Sequence, residues 1–579
     1  MKDLKRLVDV AMGRKQAQLC IRNAKVVDVH TLEVLEKDVL IDNGIFAGFR
    51  EPDKGMAETV YDAKGRYMVP GFIDGHVHIE SSHCGPQVFS DLVVRKGTTT
   101  VIADPHEICN CSGLDGLDWM IENSKGLPLS IYYMVPSCVP ATAFEHAGAT
   151  MLADDIAKRI DNERVLGLGE MMNYPGVLAA DPMVLDKIAV AHKAGKLIDG
   201  HAPSLEGIGL DAYAAMGIRD DHECTTVEEA RERLRRGMYV LVRQGTVCQD
   251  ELRLLPAVTM ANFRHCLFCT DDRQVASLLE EGSINNNVRL AVAHGFDPLM
   301  AISMATINSA ECFRLSDRGA IDPGLRADFS LVDNLKDFKI HRVYVEGRLV
   351  AEGEQMLEPA TPGEVGDKVL CNINIGSFSK GKLVLPLSQG HVRTIRLKEG
   401  GVVTEAGEAS VKVVDGHFVH DPTLDVVKVC VLERHHGTGN IGLALLEGYG
   451  IKRGAVATTV AHDSHNIICC GCNDDDMYLA IETLKENHGG MVAVEGGKVL
   501  GKLSHPIAGL MSNRKASEVA ESLKELGNLA WERLGVSKQY DPFMTLCFMA
   551  LPVIPVYKVT DLGLFDVSKF SLVDIEIKD

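Results

Sequence analysis

The sequence predicts an α/β protein built on a (β/α)8 (TIM) barrel, with a small β domain formed from both flanks of the barrel and a mixed α/β C-terminal domain. Three observations predict it. Residues 70–320 alternate eight apolar runs with helix-like stretches, and eight strand–helix units in about 250 residues is the size of such a barrel. Segments with short-strand texture bracket that region. From 361 onward, strand-like and helix-like stretches mix without a tandem repeat.

The first flank, QLCIRNAKVVDVHTLEVLEKDVLIDNGIFAGF, alternates apolar and polar residues and breaks at Asp-Asn-Gly, a turn signal. The same texture returns in LRADFSLVDNLKDFKIHRVYVEGRLV, so residues 1–69 and 321–360 are assigned to one β domain. The barrel runs are YMVPGFIDG, TTTVIADP, PLSIYYMVP, RVLGLGE, KLIDGH, MGIRDDH, MYVLVRQG and HCLFCTDD. Between them, stretches such as DPMVLDKIAVAHKAG and TVEEARERLRRG have the length of crossover helices. The C-terminal domain, 361–579, offers strands in KVLCNINIG and VKVCVLERH, and helices in DDMYLAIETLKENHG and RKASEVAESLKELGNLAWERLG.

Composition narrows the function classes. A formal charge of -20 opposes nucleic-acid binding, whose footprint is basic. The first residues, MKDLKRLVDVAMGRKQ, have no apolar signal core, and no 18-residue apolar span occurs, so a cytoplasmic location without membrane contact is expected. Sixteen cysteines in 579 residues are too sparse for a disulfide scaffold.

The chemistry gathers at the ends of the eight runs, where barrels of this kind work. VPGFIDGHVHIESSH places His76 and His78 two apart, on one face of a strand. Run four ends in Glu170, run five in His201, run six in His222, and run eight in Asp271, followed by Asp272. These are metal-binding residue types. They exceed the three protein ligands of one catalytic zinc. They fit two ions sharing a hydroxide, with His76 and His78 on one, His201 and His222 on the other, and Glu170 bridging. Asp271 would bind one ion and move a proton. The mixed set suits zinc, manganese or ferrous iron, and ligand type alone does not choose.

PGFIDGHVH, with the ordered Glu170, His201, His222 and Asp271, resembles the amidohydrolase superfamily. TTTVIADPHEICN, GLGEMMNYPGV, DGHAP, IRDDHECTT, CTDDR, HHGTGNIG and AHDSHNIICCGCNDDDM resemble the bacterial-type adenine deaminase family within it. The resemblance covers most of the chain. It implies hydrolysis of adenine to hypoxanthine and ammonia in purine salvage. It also implies a paired manganese or iron centre held by His76, His78, Glu170, His201, His222 and Asp271. Asp271 and Glu170 would be catalytic, and chains of this kind commonly form homodimers. Relatives that open cyclic amides often carry a carbamylated lysine on strand four, where this chain has Glu170. A cyclic-amide or amide hydrolase is the alternative, and a non-enzymatic scaffold has no need of six converging ligands. The zinc nucleobase deaminases require H-x-E followed by P-C-x-x-C. His78-Ile79-Glu80 supplies the first half, and the second occurs nowhere.

Weaker signals remain. His106, in ADPHEICN with Asp104 and Glu107, is placed to orient a ligand or touch a substrate. Asn173 could pair with a base edge and Tyr174 could stack on it. AHDSHN offers His462, Asp463 and His465 as a C-terminal contribution to the active site. HHGTGNIG lacks the Lys-Ser/Thr ending of a P-loop and reads as a tight loop. Cys266 and Cys269 have zinc-ligand spacing but lie within a strand; with Cys469, Cys470 and Cys472 they read as buried thiols.

Overall fold

The computed structural model describes residues 3–398 and 400–578. Both flanks join one sheet of nine strands: Tyr67–Pro70 pairs antiparallel with Phe329–Val332, so the chain leaves this sheet to build the barrel and returns to it. Val39, Phe46, Phe329 and Leu331 form its core.

The barrel strands are β1 (Phe72–His78), β2 (Thr98–Ala103), β3 (Ser130–Val135), β4 (Val165–Met171), β5 (Leu197–Gly200), β6 (Asp220–Asp221), β7 (Tyr239–Arg243) and β8 (Cys266–Cys269, continued by Asp271–Asp272). Six fall inside a run read from the sequence; β1 extends three residues past its run, to His78, and β4 one residue past its run, to Met171. β1 to β5 pair in order, β6 to β8 pair in order, and Asp271–Asp272 lies parallel to Val77–His78, returning the sheet to β1. β5 and β6 are joined differently. Gly200 N–H donates to Asp220 Oδ1 at 2.7 Å, a side-chain bond where a ladder bond would be. The backbones approach so closely here that a Cβ on residue 200 would stand 2.0 Å from the Asp220 carbonyl oxygen, which is why glycine occupies the seam.

The crossover helices carry their own stop and start signals. Pro182–Ala194 begins with Asp181 accepting from Met183 N–H and Pro182 in the first turn, and ends at Gly195 with φ +66°. Val227–Arg235 is closed by a reciprocal Thr226–Glu229 capping box.

The C-terminal region is built on an eight-stranded sheet that includes Val426–Leu432, Ile467–Gly471 and Met491–Glu495. Helices Asp474–Glu486 and Ala516–Asn528 match the expected stretches. KVLCNINIG differs from the expectation of a strand. It opens in a turn, with Val369 and Leu370 N–H donating to the Gly366 carbonyl, and its further backbone bonds are scattered over Pro506 and Arg434, with a single bridge from Leu370 to Ile507, so no ladder forms. All sixteen cysteines are free thiols. Among the described residues no helix is long and apolar enough to cross a membrane.

Candidate active site

β1 presents His76 and His78 to one face, and both rings are buried. His78 Nδ1 lies 2.9 Å from the Asp104 carbonyl oxygen, and His76 Nδ1 lies 3.1 Å from Asp199 Oδ2. A carbonyl and a carboxylate only accept, so each Nδ1 carries a hydrogen, and in the neutral rings that would hold a metal each Nε2 keeps its lone pair. The two Nε2 atoms stand 3.1 Å apart. Neither can donate to the other, so their lone pairs face each other. Two nitrogens held about 2.1 Å from one cation would stand roughly 3 to 3.5 Å apart. The pair therefore fits a shared metal ion.

Glu170 ends β4 between the two histidine pairs. Its Oε1 is 3.5 Å from His78 Nε2 and 4.0 Å from His76 Nε2. Its Oε2 is 2.8 Å from His201 Nδ1 and 3.2 Å from His222 Nε2. Asp271 Oδ1 is 3.1 Å from His78 Nε2, and its Oδ2 accepts from Arg243 at 3.0 Å. Thus all six residues expected at a metal centre converge. His76, His78 and Glu170 make one group able to hold a divalent cation, and Glu170, His201 and His222 make another.

The electrostatics suit cations. Burial pushes the Glu170 carboxyl up, but hydrogen bonds with His106, His201 and His222 outweigh it and hold it well below the usual range. Burial also opposes ionisation of Asp271, and His78 and Arg243 outweigh it. Burial disfavours a charged His222, yet Glu170 and Asp271 draw it up to about 10. Ionised carboxylates in a dry pocket demand positive charge nearby.

The site opens on a cavity of about 510 Å³, within the range of small-molecule sites. A larger open groove of about 1020 Å³ beside helix Ala516–Asn528 is lined by no histidine among the described residues.

The weaker expectations divide. His106 stands beside the centre, Nδ1 3.2 Å from Glu170 Oε1 and Nε2 3.3 Å from Glu107 Oε1. Asp104 braces β4, accepting from Glu170 N–H at 2.8 Å. Asn173 does not meet the expectation of a base contact. Its Oδ1 accepts from Gly176 N–H at 2.9 Å and caps helix Tyr174–Leu178, and neither Asn173 nor Tyr174 lines the cavity. His462 and Asp463 line it; His465 does not, and bonds Glu107 from behind. Asp272 also lines the cavity, and its Oδ1 accepts from Ser81 Oγ. In HHGTGNIG the loop's N–H groups are taken from within: Glu433 accepts from His435, His436 and Thr438, so no ligand anion is called for.

Sequence reasoning missed Asp199, Glu223, Arg243 and Asp250. Arg243 is buried and bridges Glu223, Asp250 and Asp271. It ends β7, the one barrel strand that closes on an arginine, and the arginine near the end of MYVLVRQG was the available signal.

Residues 67–350 match the profile of the Amidohydrolase family, and residues 401–571 match the Adenine deaminase C-terminal domain. An adenine deaminase of Nitratidesulfovibrio vulgaris is similar at 50% identity over 99% of this chain and 98% of its own. An adenine deaminase 2 of Desulfotalea psychrophila is 48% identical over 99% of both chains. An adenine deaminase 2 of Carboxydothermus hydrogenoformans is 48% identical over 100% of both. The barrel and its histidine–carboxylate centre define a hydrolase of the amidohydrolase class. Within that class the chain belongs to the adenine deaminase family.

Proposed function

We infer that this chain catalyses the metal-dependent hydrolytic deamination of adenine, giving hypoxanthine and ammonia, in purine salvage. The observation that carries the reading is Glu170, whose two oxygens are divided between the His76–His78 pair and the His201–His222 pair. That division supports two divalent ions per chain, bridged by Glu170. Manganese or ferrous iron is proposed on the mixed nitrogen and oxygen donors and on the family; zinc meets the same donor set. Held by these residues, such ions would lower the pKa of a bound water and so supply a hydroxide near neutral pH.

The chain's own groups do the rest. Carbon 6 of adenine is a poor electrophile, so N1 must gain a proton from solvent as oxygen adds to carbon 6, and the carbon–nitrogen bond breaks to release ammonia only after the amino group gains a proton as well. Asp271, beside His78, is assigned to take the proton from the attacking oxygen and hand it to the amino nitrogen. Arg243 holds its other oxygen and so fixes which one faces the reaction. The net charge of -20 supports a free base over a polynucleotide as substrate. The alternative, a cyclic-amide hydrolase, is disfavoured by Glu170 standing where such relatives carry a modified lysine. A panel of adenine, adenosine, guanine, hydantoin and dihydroorotate, scored for ammonia and ring opening, tests this. Ammonia from adenine alone is expected; ring opening without ammonia would overturn it.

A further inference from the structure

Part of the cavity wall comes from the C-terminal region: His462, Asp463 and Phe548. His462 Nδ1 lies 2.7 Å from Glu107 Oε1, a contact from the C-terminal region to the barrel. The other Glu107 oxygen is bonded to His465 Nε2. Glu107, His462 and His465 have the donor types of a metal site. The tautomer of His465 excludes that use. Ala461 N–H donates to His465 Nδ1 at 3.1 Å, so the ring hydrogen sits on Nε2 and is given to Glu107. No lone pair is left on Nε2 for a cation. The three residues are instead a clamp. Glu107 is a carboxylate, held well below the usual range because His462 and His465 outweigh its burial.

The clamp fixes one ring against the cavity. His462 gives its Nδ1 hydrogen to Glu107 and lies on Phe548, with ring centroids 4.9 Å apart and planes at 19°. Its Nε2 has no hydrogen-bond partner among the described residues, and the residue lines the cavity. Burial opposes a charge on this ring, but Glu107 outweighs it and draws the imidazole up to about 9. The Glu107 carboxylate 2.7 Å from Nδ1 favours the imidazolium form, in which Nε2 also carries a hydrogen. A purine offers unprotonated ring nitrogens as acceptors and few other groups that could satisfy a cationic donor.

We propose that His462 Nε2 donates a hydrogen bond to N1, N3 or N7 of the bound purine, so that the C-terminal region takes part in substrate recognition. Glu107 and His465 are positioning residues for this contact. The inference rests on the reading of the cavity as an aminopurine site.

The test uses His462→Asn and His462→Gln in the full chain. Asparagine places its amide nitrogen where Nδ1 lies, which keeps the bond to Glu107 and removes the group facing the cavity. Glutamine places its nitrogen nearer Nε2. Metal content and melting temperature of each variant are measured first. With both unchanged, His462→Asn should raise KM for adenine about 10- to 100-fold, the usual worth of a charge-assisted hydrogen bond, and His462→Gln should recover part of it. Inhibition by 1-deaza-, 3-deaza- and 7-deazaadenine then locates the contact. One analogue, lacking the nitrogen that His462 reaches, should bind wild type and His462→Asn alike, while the other two lose affinity in the variant. An unchanged KM in His462→Asn, or equal losses for all three analogues, would overturn the proposal. If His462→Asn alters metal content or melting, His462→Ala, which also removes the group facing the cavity, carries the same analogue comparison, with the same two overturning outcomes. Absence of ammonia release from adenine by the metal-loaded wild type would instead overturn the functional reading beneath it.

Discussion

Asp271 works under two opposing demands. It must stay ionised in a buried pocket, and it must still accept a proton during the reaction. Arg243 serves the first by holding Oδ2 at 3.0 Å, and a backbone φ of +55° turns Asp271 toward His78 while Asp272 points to Ser81. Asp271→Asn is expected to fold and bind adenine, yet to lose roughly two to four orders of magnitude in kcat, the usual worth of general acid–base catalysis. Asp272→Asn should lose far less. Steady-state rates with metal content determined for both variants check this; a dead Asp272→Asn beside an active Asp271→Asn would reverse the assignment. Glu170→Gln keeps the size but removes a charge that two histidine pairs share. It should bind one ion instead of two and fall several orders of magnitude in rate, measurable by elemental analysis alongside activity.

At the scale of elements, the β5–β6 seam is the barrel's exposed weakness. It depends on the close approach that Gly200 permits and on one side-chain bond from Asp220. Gly200→Ala forces a methyl to within 2.0 Å of a carbonyl oxygen. A loss of about 1–3 kcal/mol or more is expected, typical of overpacking, with His201 displaced in step. Thermal melts and metal titration of the variant test it. The seam also marks where the sequence stops being readable. Ligand-type residues at the ends of apolar runs reveal the strands, because a barrel must place its chemistry there. Nothing in KLIDGH or MGIRDDH says that these two strands meet through a side chain. KVLCNINIG looks like a strand because apolar alternation records burial, not whether a neighbouring strand is present. Asn173 misled for a related reason: a short amide beside a helix start bonds its own backbone as readily as a ligand.

Across the whole molecule, the barrel and the C-terminal region meet at buried histidines. His83 and His505 stack with ring centroids 5.0 Å apart, and both are buried. Burial pushes His83 down to about 4 and His505 well below its ordinary value, while the unfolded chain takes up these protons near pH 6.5. The unfolded state then binds more protons below that pH, so this stability is present at neutral pH and is lost on acidification from about 6.5 toward 4. A ring that stays neutral when folded costs about 2 kcal/mol at pH 5. His505→Phe keeps the stack without the charge. Its melting temperature should fall less between pH 7 and pH 5 than that of the parent; an equal fall would place the acid sensitivity elsewhere. Removing metal acts on the same scale. An ion bound only by the folded chain stabilises it by mass action, so chelation should lower the melting temperature, and two equivalents of manganese or ferrous iron per chain should restore both stability and activity. Full activity at one equivalent would refute the paired centre.

The bond between Glu107 and His462 has a further consequence for how the protein is made. The two residues are 355 positions apart in the chain. At ribosomal speeds of about 5–20 residues per second, Glu107 emerges roughly 20 to 70 s before its partner exists. Barrel strands β3 to β8 are translated in that interval, and the wall that His462 contributes is translated after all eight. Completion of the pocket therefore reports completion of the polypeptide: a product of interrupted translation carries the barrel ligands without the surface that closes over them.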